Sequence, residues 1–306
     1  MPSAPKISID LPRVRRNAEA IIRQTGVPII AVVKADAYGL GAGAVAEVIG
    51  DLVEAFYVFD AAEAVAANLW DITGKRTIAL NSDWNDPAEF LARHIQPVVW
   101  TEPRAATLRR AKPALSIDTG QQRFAVDPSQ AAAVRSAGDC REVMTHATRL
   151  PQVNALLEVI REWDRSGLFV HAAGSALLDQ PSAWLDAVRP GLALYRGAVR
   201  VTASLIDVRD SNGPAGYTGF TVPRFGVIMA GYSNGLRKGP CKINGQLRRV
   251  IEVGMQSAFV EAGKNDQIGD EVILLAGEAG IDETAVAQAW NTSPQEVLYR
   301  LSRLGR

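Results

Sequence analysis

Over the first two thirds of the chain, short apolar runs alternate with stretches of amphipathic spacing. Pro28–Val33, Ala55–Phe59, Thr77–Leu80, Gln96–Val99, Ala114–Ile117, Glu142–Thr145 and Leu168–Ala172 are predicted strands, and Ala193–Tyr195 closes the series. Between them the apolar positions recur at helical spacing over Leu11–Gln24, Gly43–Leu52, Ala61–Leu69, Pro87–Arg93, Glu102–Ala111, Ser129–Ala137 and Gln152–Asp164. Apolar runs this short suit strands covered on both faces, as in parallel sheets. Strand–helix alternation at this count predicts an α/β fold, a (β/α)8 TIM-type barrel. A doubly wound open sheet is the alternative, although no GxGxxG follows the first strand.

The texture changes near residue 200. Val201–Val208, Phe225–Met229, Gln246–Val253, Ser257–Glu261 and Glu271–Leu275 are predicted strands separated by turn signals such as Asn244-Gly245. The expected organisation is a barrel over 1–200 and a smaller, mostly-β C-terminal domain over 201–306. The tail is helical, with Ser293-Pro294-Gln295-Glu296 as a capping box and Glu296 and Arg300 at i,i+4 spacing.

Composition narrows the function classes. Lys plus Arg and Asp plus Glu are 33 each, so the net charge is zero and there is no electrostatic footprint for nucleic acid or an anionic membrane. Thr284–Arg303 has a helix–turn–helix texture, but its few cations argue against DNA binding. No stretch approaches the roughly 20 apolar residues of a membrane span, and the N-terminus lacks the apolar core of a signal peptide. Cys140 and Cys241 lie far apart without metal-ligand spacing. The expectation is a reduced, cytoplasmic protein with two free thiols and no metal.

Candidate chemistry centres on residues 32–40, VVKADAYGL. An apolar run delivers Lys34 to a strand end, followed by a small-residue turn with Tyr38. An ammonium is costly to desolvate, so such a lysine is either paired, snorkelling to solvent, or chemically used. In a pocket its pKa falls, and the free amine can condense with an aldehyde. Other predicted strand ends, where barrel enzymes place their chemistry, carry Ile117-Asp118-Thr119-Gly120-Gln121-Gln122-Arg123, Thr145-His146-Ala147, His171-Ala172-Ala173-Gly174-Ser175 and Arg189-Pro190-Gly191-Leu192. Ala230-Gly231-Tyr232-Ser233-Asn234-Gly235 and Met255-Gln256 belong to the β-rich part.

Over residues 7–304 these segments resemble the alanine racemase family of fold type III pyridoxal-phosphate enzymes. The matches at Lys34, Arg189 and Tyr232 are the specific ones. The resemblance implies an isomerase that interconverts L- and D-alanine with pyridoxal 5'-phosphate. Lys34 would carry the cofactor and act as one base, and Tyr232, supplied by the partner subunit of a homodimer with shared active sites, would act as the other. Tyr38, Ser175 and the backbone at Gly191 and Leu192 would contact the phosphate. Arg189 would face the pyridine nitrogen with His146 in support. Arg123, Met255 and Gln256 would orient the substrate. The chain departs from the family pattern at Gly174, where asparagine is usual, at Gln256, where aspartate is usual, and at Gln295, where a phosphate-contacting tyrosine is usual; Tyr299 lies one helical turn later. These departures leave open a racemase of broader amino-acid specificity, or a pyridoxal-phosphate-binding protein without turnover.

Overall fold

The computed structural model describes residues 4–81 and 83–304. The chain opens on strand β1 (Lys6–Ile9) and helix Leu11–Thr25. Eight parallel strands follow: β2 (Ile30–Val32), β3 (Ala55–Val58), β4 (Thr77–Ala79), β5 (Ile95–Val99), β6 (Ala114–Ser116), β7 (Glu142–Ala147), β8 (Phe169–Gly174) and β9 (Ala187–Arg189). They pair in sequence order. The ring closes through a parallel bridge between Ile29 and Val188 and through Val32 N–H donating to the Pro190 carbonyl at 3.0 Å. The predicted TIM-type barrel is therefore the observed one. Its interior is packed by Ile30, Ala55, Tyr57, Ile78, Val98, Ala114, Met144 and Ala187, the alternate positions that a pleated strand turns to one side.

Local chemistry sets several helix starts. Asp60 accepts the Glu63 N–H to begin Ala61–Ala66, and Asp86 accepts the Ala88 N–H before Pro87–Ala92. The single helix expected over Ala61–Leu69 is two, because Asn68 adopts φ 53° and breaks it before Leu69–Thr73. The helix expected over Gln152–Asp164 runs over Leu150–Val159, with Pro151 in its first turn. Ala193–Tyr195 is not the closing strand. That role falls to β9, and Leu192–Tyr195 is a short helix. Pro190-Gly191 ends the strand, because proline cannot extend a ladder by donation.

The remaining strands are antiparallel: β10 (Val199–Asp210), β11 (Arg224–Ile228), β12 (Gly239–Ile243), β13 (Gln246–Val253), β14 (Ala258–Glu261) and β15 (Glu271–Leu275). The sheet order is β1-β10-β11-β14-β13-β12-β15, and β15 pairs with β10 as well, so this sheet also curls onto itself. Val201, Leu205, Ile228, Val250, Val260 and Val272 fill its inner face. Strands β1 and β12 have no counterpart among the predicted elements. Helices Glu283–Trp290 and Pro294–Leu301 follow, the second capped by Ser293 Oγ accepting the Glu296 N–H at 3.2 Å.

The described residues form two units. One holds 14–37 and 41–194, the barrel; the other holds those up to 13, 38–40 and those from 195 on.

Candidate active site

Lys34 leaves the barrel just past β2, where Val33 N–H donates to the Tyr57 carbonyl at 2.9 Å. Then the backbone turns the wrong way. Ala35, Asp36, Ala37 and Tyr38 all have φ between 52° and 59°, a left-handed turn of four L-residues, each disfavoured by about 1–2 kcal/mol. Specific bonds hold it. Ala35 N–H donates to Glu63 Oε1 at 2.9 Å, Ala37 N–H to the Val33 carbonyl at 2.7 Å, and Ala42 N–H to Asp36 Oδ1 at 2.8 Å. Lys34 itself is half-buried. Burial pushes its pKa down, the charges of Arg123 and Arg189 push the same way, and Glu63 pulls back. The amine is thereby shifted toward its nucleophilic, uncharged form.

Arg189, at the end of β9, is buried. Its guanidinium lies 5.4 Å from the centre of the Tyr57 ring and donates to the Thr145 carbonyl, to the Ala172 carbonyl at 3.3 Å and to Met144 Sδ at 3.4 Å. Its Nε has no partner among the described residues. His146, beyond Thr145 on β7, is exposed. Surrounding protein, then the cations Arg189, Lys34 and Arg123, lower its pKa to about 4. It is a neutral ring at pH 7, which suits a supporting role and not that of a charged acid.

Ser175 follows β8. Its Oγ accepts the N–H groups of Gly191 and Ala193 at 3.0 and 3.1 Å. With two N–H groups already donating to the oxygen, the hydroxyl proton is left to donate to a further acceptor. A Cβ at Gly174 would meet only ordinary contacts, the nearest at 3.6 Å, so packing does not dictate glycine there. Arg123 is exposed on a loop tied by Asp118, whose Oδ1 accepts N–H groups of Gly120, Gln121 and Gln122 at 2.7, 2.9 and 3.1 Å.

Lys34, Arg123, His146, Ser175, Arg189, Gly191 and Leu192 thus belong to the barrel unit. Tyr38 groups with the other unit. There its ring packs 5.0 Å from that of Tyr195, its hydroxyl is pushed up to about 12 by burial, and its carbonyl accepts from Ser302 Oγ at 3.0 Å.

Tyr232, Met255 and Gln256 form a second cluster. Tyr232 N–H donates to the Gly254 carbonyl at 2.9 Å, and Ser233 N–H and Oγ donate to the Met255 carbonyl at 3.0 and 2.6 Å. A Cβ on Gly231 would overlap the Met255 carbonyl and the Gln256 nitrogen, so glycine is required where these two turns touch. Tyr232 is 57% and Met255 61% exposed. Arg224 and Arg237 are engaged elsewhere, with Asp210 and Glu296. Gln295 is exposed, and the Tyr299 hydroxyl accepts from Arg303 at 3.1 Å.

A family model described as the alanine racemase N-terminal domain matches residues 9–199, and one described as the alanine racemase C-terminal domain matches 214–306. The chain belongs to the alanine racemase family. Alanine racemase of Haemophilus influenzae is 30% identical, covering 93% of this chain and 92% of its own. The biosynthetic alanine racemase of Escherichia coli K12 is 29% identical, covering 90% of each. Among solved structures, alanine racemase from Acinetobacter baumannii superposes with a TM-score of 0.87 at 18% identity, covering 98% of both chains. The Bartonella henselae alanine racemase, whose structure has covalently bound pyridoxal phosphate, gives 0.81 at 23% identity over 98% of both. At these identities the structures establish the fold.

Within this alanine racemase family member, sequence reasoning missed Glu63, Asp118, Tyr57 and Glu142. Glu63 bonds the residue after Lys34, Asp118 holds the loop of Arg123, Tyr57 lies against the Arg189 guanidinium, and Glu142 bonds His171 and Arg76. Asp118 alone had a local signal, as an aspartate two positions ahead of Gly120.

Proposed function

We propose that this chain is a pyridoxal-phosphate-dependent racemase interconverting L- and D-alanine, with Lys34 and Tyr232 as its two acid–base groups. The observation that carries the reading is the set at the barrel mouth: a desolvated amine flanked by two guanidiniums and a serine hydroxyl with its proton left to donate. These groups fit a phosphorylated pyridine aldehyde. The amine suits the aldehyde carbon, Ser175 and the Gly191–Leu192 backbone suit the phosphate, and the Arg189 guanidinium suits the pyridine nitrogen.

When bound, the cofactor acidifies the Cα–H of the attached amino acid. Lys34 Nζ, uncharged once its pKa falls, takes or returns the Cα proton on one face. One amine reaches one face only, so the Tyr232 hydroxyl handles the other. Arg189, a cation, would face the pyridine nitrogen and oppose its protonation. His146, neutral, supports Arg189. Arg123 forks onto the substrate carboxylate, and Met255 and Gln256 shape its surroundings. The exposure of Tyr232 favours a homodimer with shared active sites, in which each copy lends its tyrosine to the other. Residues 1–200 would then hold the cofactor and 201–306 supply the second base. A cytoplasmic location fits this role; no helix among the described residues is long and apolar enough to cross a membrane.

The deciding experiment is reduction of the purified protein with borohydride, with mass mapping of the adduct and loss of optical rotation on L-alanine. The expected result is a visible absorbance removed by reduction, the adduct on the Lys34 peptide, and racemisation lost in Tyr232→Phe while the absorbance stays. A colourless protein with no Lys34 adduct refutes the reading. Comparing kcat/KM for alanine, serine and lysine then sets specificity: sole use of alanine removes the broader-specificity alternative left by Gln256.

A further inference from the structure

Glu142 opens β7 inside the barrel, its side chain 7% exposed. One carboxylate oxygen meets His171 Nε2 at 2.9 Å, and the other accepts from Arg76 Nη1 at 2.8 Å. His171 is fully buried. Burial works against the Glu142 charge, but the hydrogen bond from His171 and the nearby cation Arg76 outweigh it and bring the carboxyl to about 2. His171 is lowered to about 4, chiefly by burial. At neutral pH the pair is a carboxylate and a neutral ring. A carboxylate only accepts, so the ring proton sits on Nε2 and Nδ1 is a bare acceptor.

Among the described residues that Nδ1 has no hydrogen-bond partner, and neither has Arg189 Nε. His171 lies opposite Ala187 in the β8–β9 pairing, two residues before Arg189, so both side chains leave the same side of the sheet. An orphan acceptor and an orphan donor therefore stand on adjacent strands. All the partners of the guanidinium are neutral, and among the described residues no carboxylate pairs with it. A buried guanidinium needs a counter-charge. Tyr57 beside it is pushed up to about 12, mainly by burial, and is neutral at pH 7. Against burial, the charge of Arg189 is favoured first by Tyr57, which also bonds it, and then by Glu142, the carboxylate among these neighbours.

We propose that Glu142 is a positioning residue for Arg189: it fixes His171 with its bare Nδ1 available to the guanidinium and supplies the buried counter-charge, while Arg76 secures the other oxygen. The inference rests on the reading of Arg189 as the group facing the pyridine nitrogen. Its consequence is that the orientation of Arg189 is set from inside the barrel, by a carboxylate that touches neither cofactor nor substrate.

The test is side-chain nitrogen-15 NMR of the cofactor-free full chain at neutral pH, then kinetics of the loaded enzyme, for the wild type and Glu142→Gln. With three histidines in the chain, the ring signals are assignable. In the wild type, His171 is expected neutral with its proton on Nε2. Glu142→Gln keeps the size and an acceptor oxygen and removes the charge. It is expected to shift and broaden the Arg189 Nε–H signal and to lower kcat on the order of tenfold, the size that partners just behind a working group carry. KM is expected to stay within about twofold. A wild-type His171 that is charged or protonated on Nδ1 overturns the proposal. So does a folded Glu142→Gln protein with the wild-type Arg189 signal. If Glu142→Gln does not fold, Arg76→Gln takes its place. It is expected to move the same Arg189 signal, and no movement overturns the proposal. A wild type that never racemises alanine refutes the proposed function instead; the NMR arm, run without cofactor, still decides the role of Glu142.

Discussion

The Glu63 carboxylate accepts the Ala35 N–H at 2.9 Å, one residue beyond Lys34, and its other oxygen accepts the Phe59 N–H at 2.8 Å. One side chain thus ties the start of the left-handed turn to the segment that leaves β3. It is also the anion that raises the pKa of Lys34. Replacing it changes both the aim and the charge of the amine. Glu63→Gln is expected to lower the Lys34 pKa further, so that acetylation of Lys34 at a fixed mildly alkaline pH, read by peptide mass mapping of the cofactor-free protein, is faster than in the wild type. Stability is expected to fall by about 2 kcal/mol, since two charge-assisted bonds to backbone are weakened. Slower labelling would contradict the assignment of Glu63 as the anion that Lys34 feels.

Asp118 gathers three consecutive N–H groups of the loop that carries Arg123. Asp118→Ala leaves them to water and lets the loop relax. If Arg123 binds the substrate carboxylate, the variant raises KM for alanine by about tenfold, the equivalent of about 1.4 kcal/mol, with a smaller change in kcat. Steady-state kinetics on both enantiomers check it; a pure kcat effect would assign the loop to the chemistry and not to binding.

Gly231 has no room for a side chain, because the Met255 carbonyl occupies its Cβ position. Gly231→Ala is expected to force the two turns apart and cost about 1–3 kcal/mol, with loss of racemisation and retention of the cofactor absorbance held by the barrel. Thermal melting and the visible spectrum together check this. Loss of the absorbance along with activity would show that the barrel site depends on this turn.

Acid weakens the fold in a definable window. His146 and His171 are both lowered to about 4, first by burial. The unfolded chain, with histidine near 6.5, binds more protons than the folded one between about pH 6.5 and 4. Stability is therefore fully present above about pH 6.5 and is lost progressively down to about pH 4. Glu142, lowered to about 2, extends the loss below about pH 4.5. Denaturant melts across this range should show a smaller slope between pH 6.5 and 4 in His171→Gln than in the wild type. Equal slopes would remove His171 from the account.

The barrel was legible where each strand is an apolar run bounded by polar residues, as at Ala55–Val58. It was not legible at β9, whose three residues include an arginine, while the apolar Leu192–Tyr195 beside it coils into a helix. Strand β12 begins Gly239-Pro240, a pair that reads as a turn until β13 and β15 pair with it. At the site, Lys34 and Arg189 announced themselves through their neighbours in sequence. Glu142 and Glu63 could not, because their partners His171 and Ala35 lie 29 and 28 residues away, and only the pairing of neighbouring parallel strands brings them within reach.

The stretch from Ala35 to Tyr38 carries a lesson for transplanting this chemistry. A lysine placed at the same strand end of another barrel would inherit the position of Lys34 but not its direction, because direction is set by a coil wound against the handedness of its own residues. Such a coil persists only where its bonds to the surrounding chain over-determine it, here Glu63 with Ala35 and Asp36 with Ala42. The unit to graft is therefore the braced coil with its two carboxylates. A graft that omits either one should relax to the right-handed form and aim the amine elsewhere.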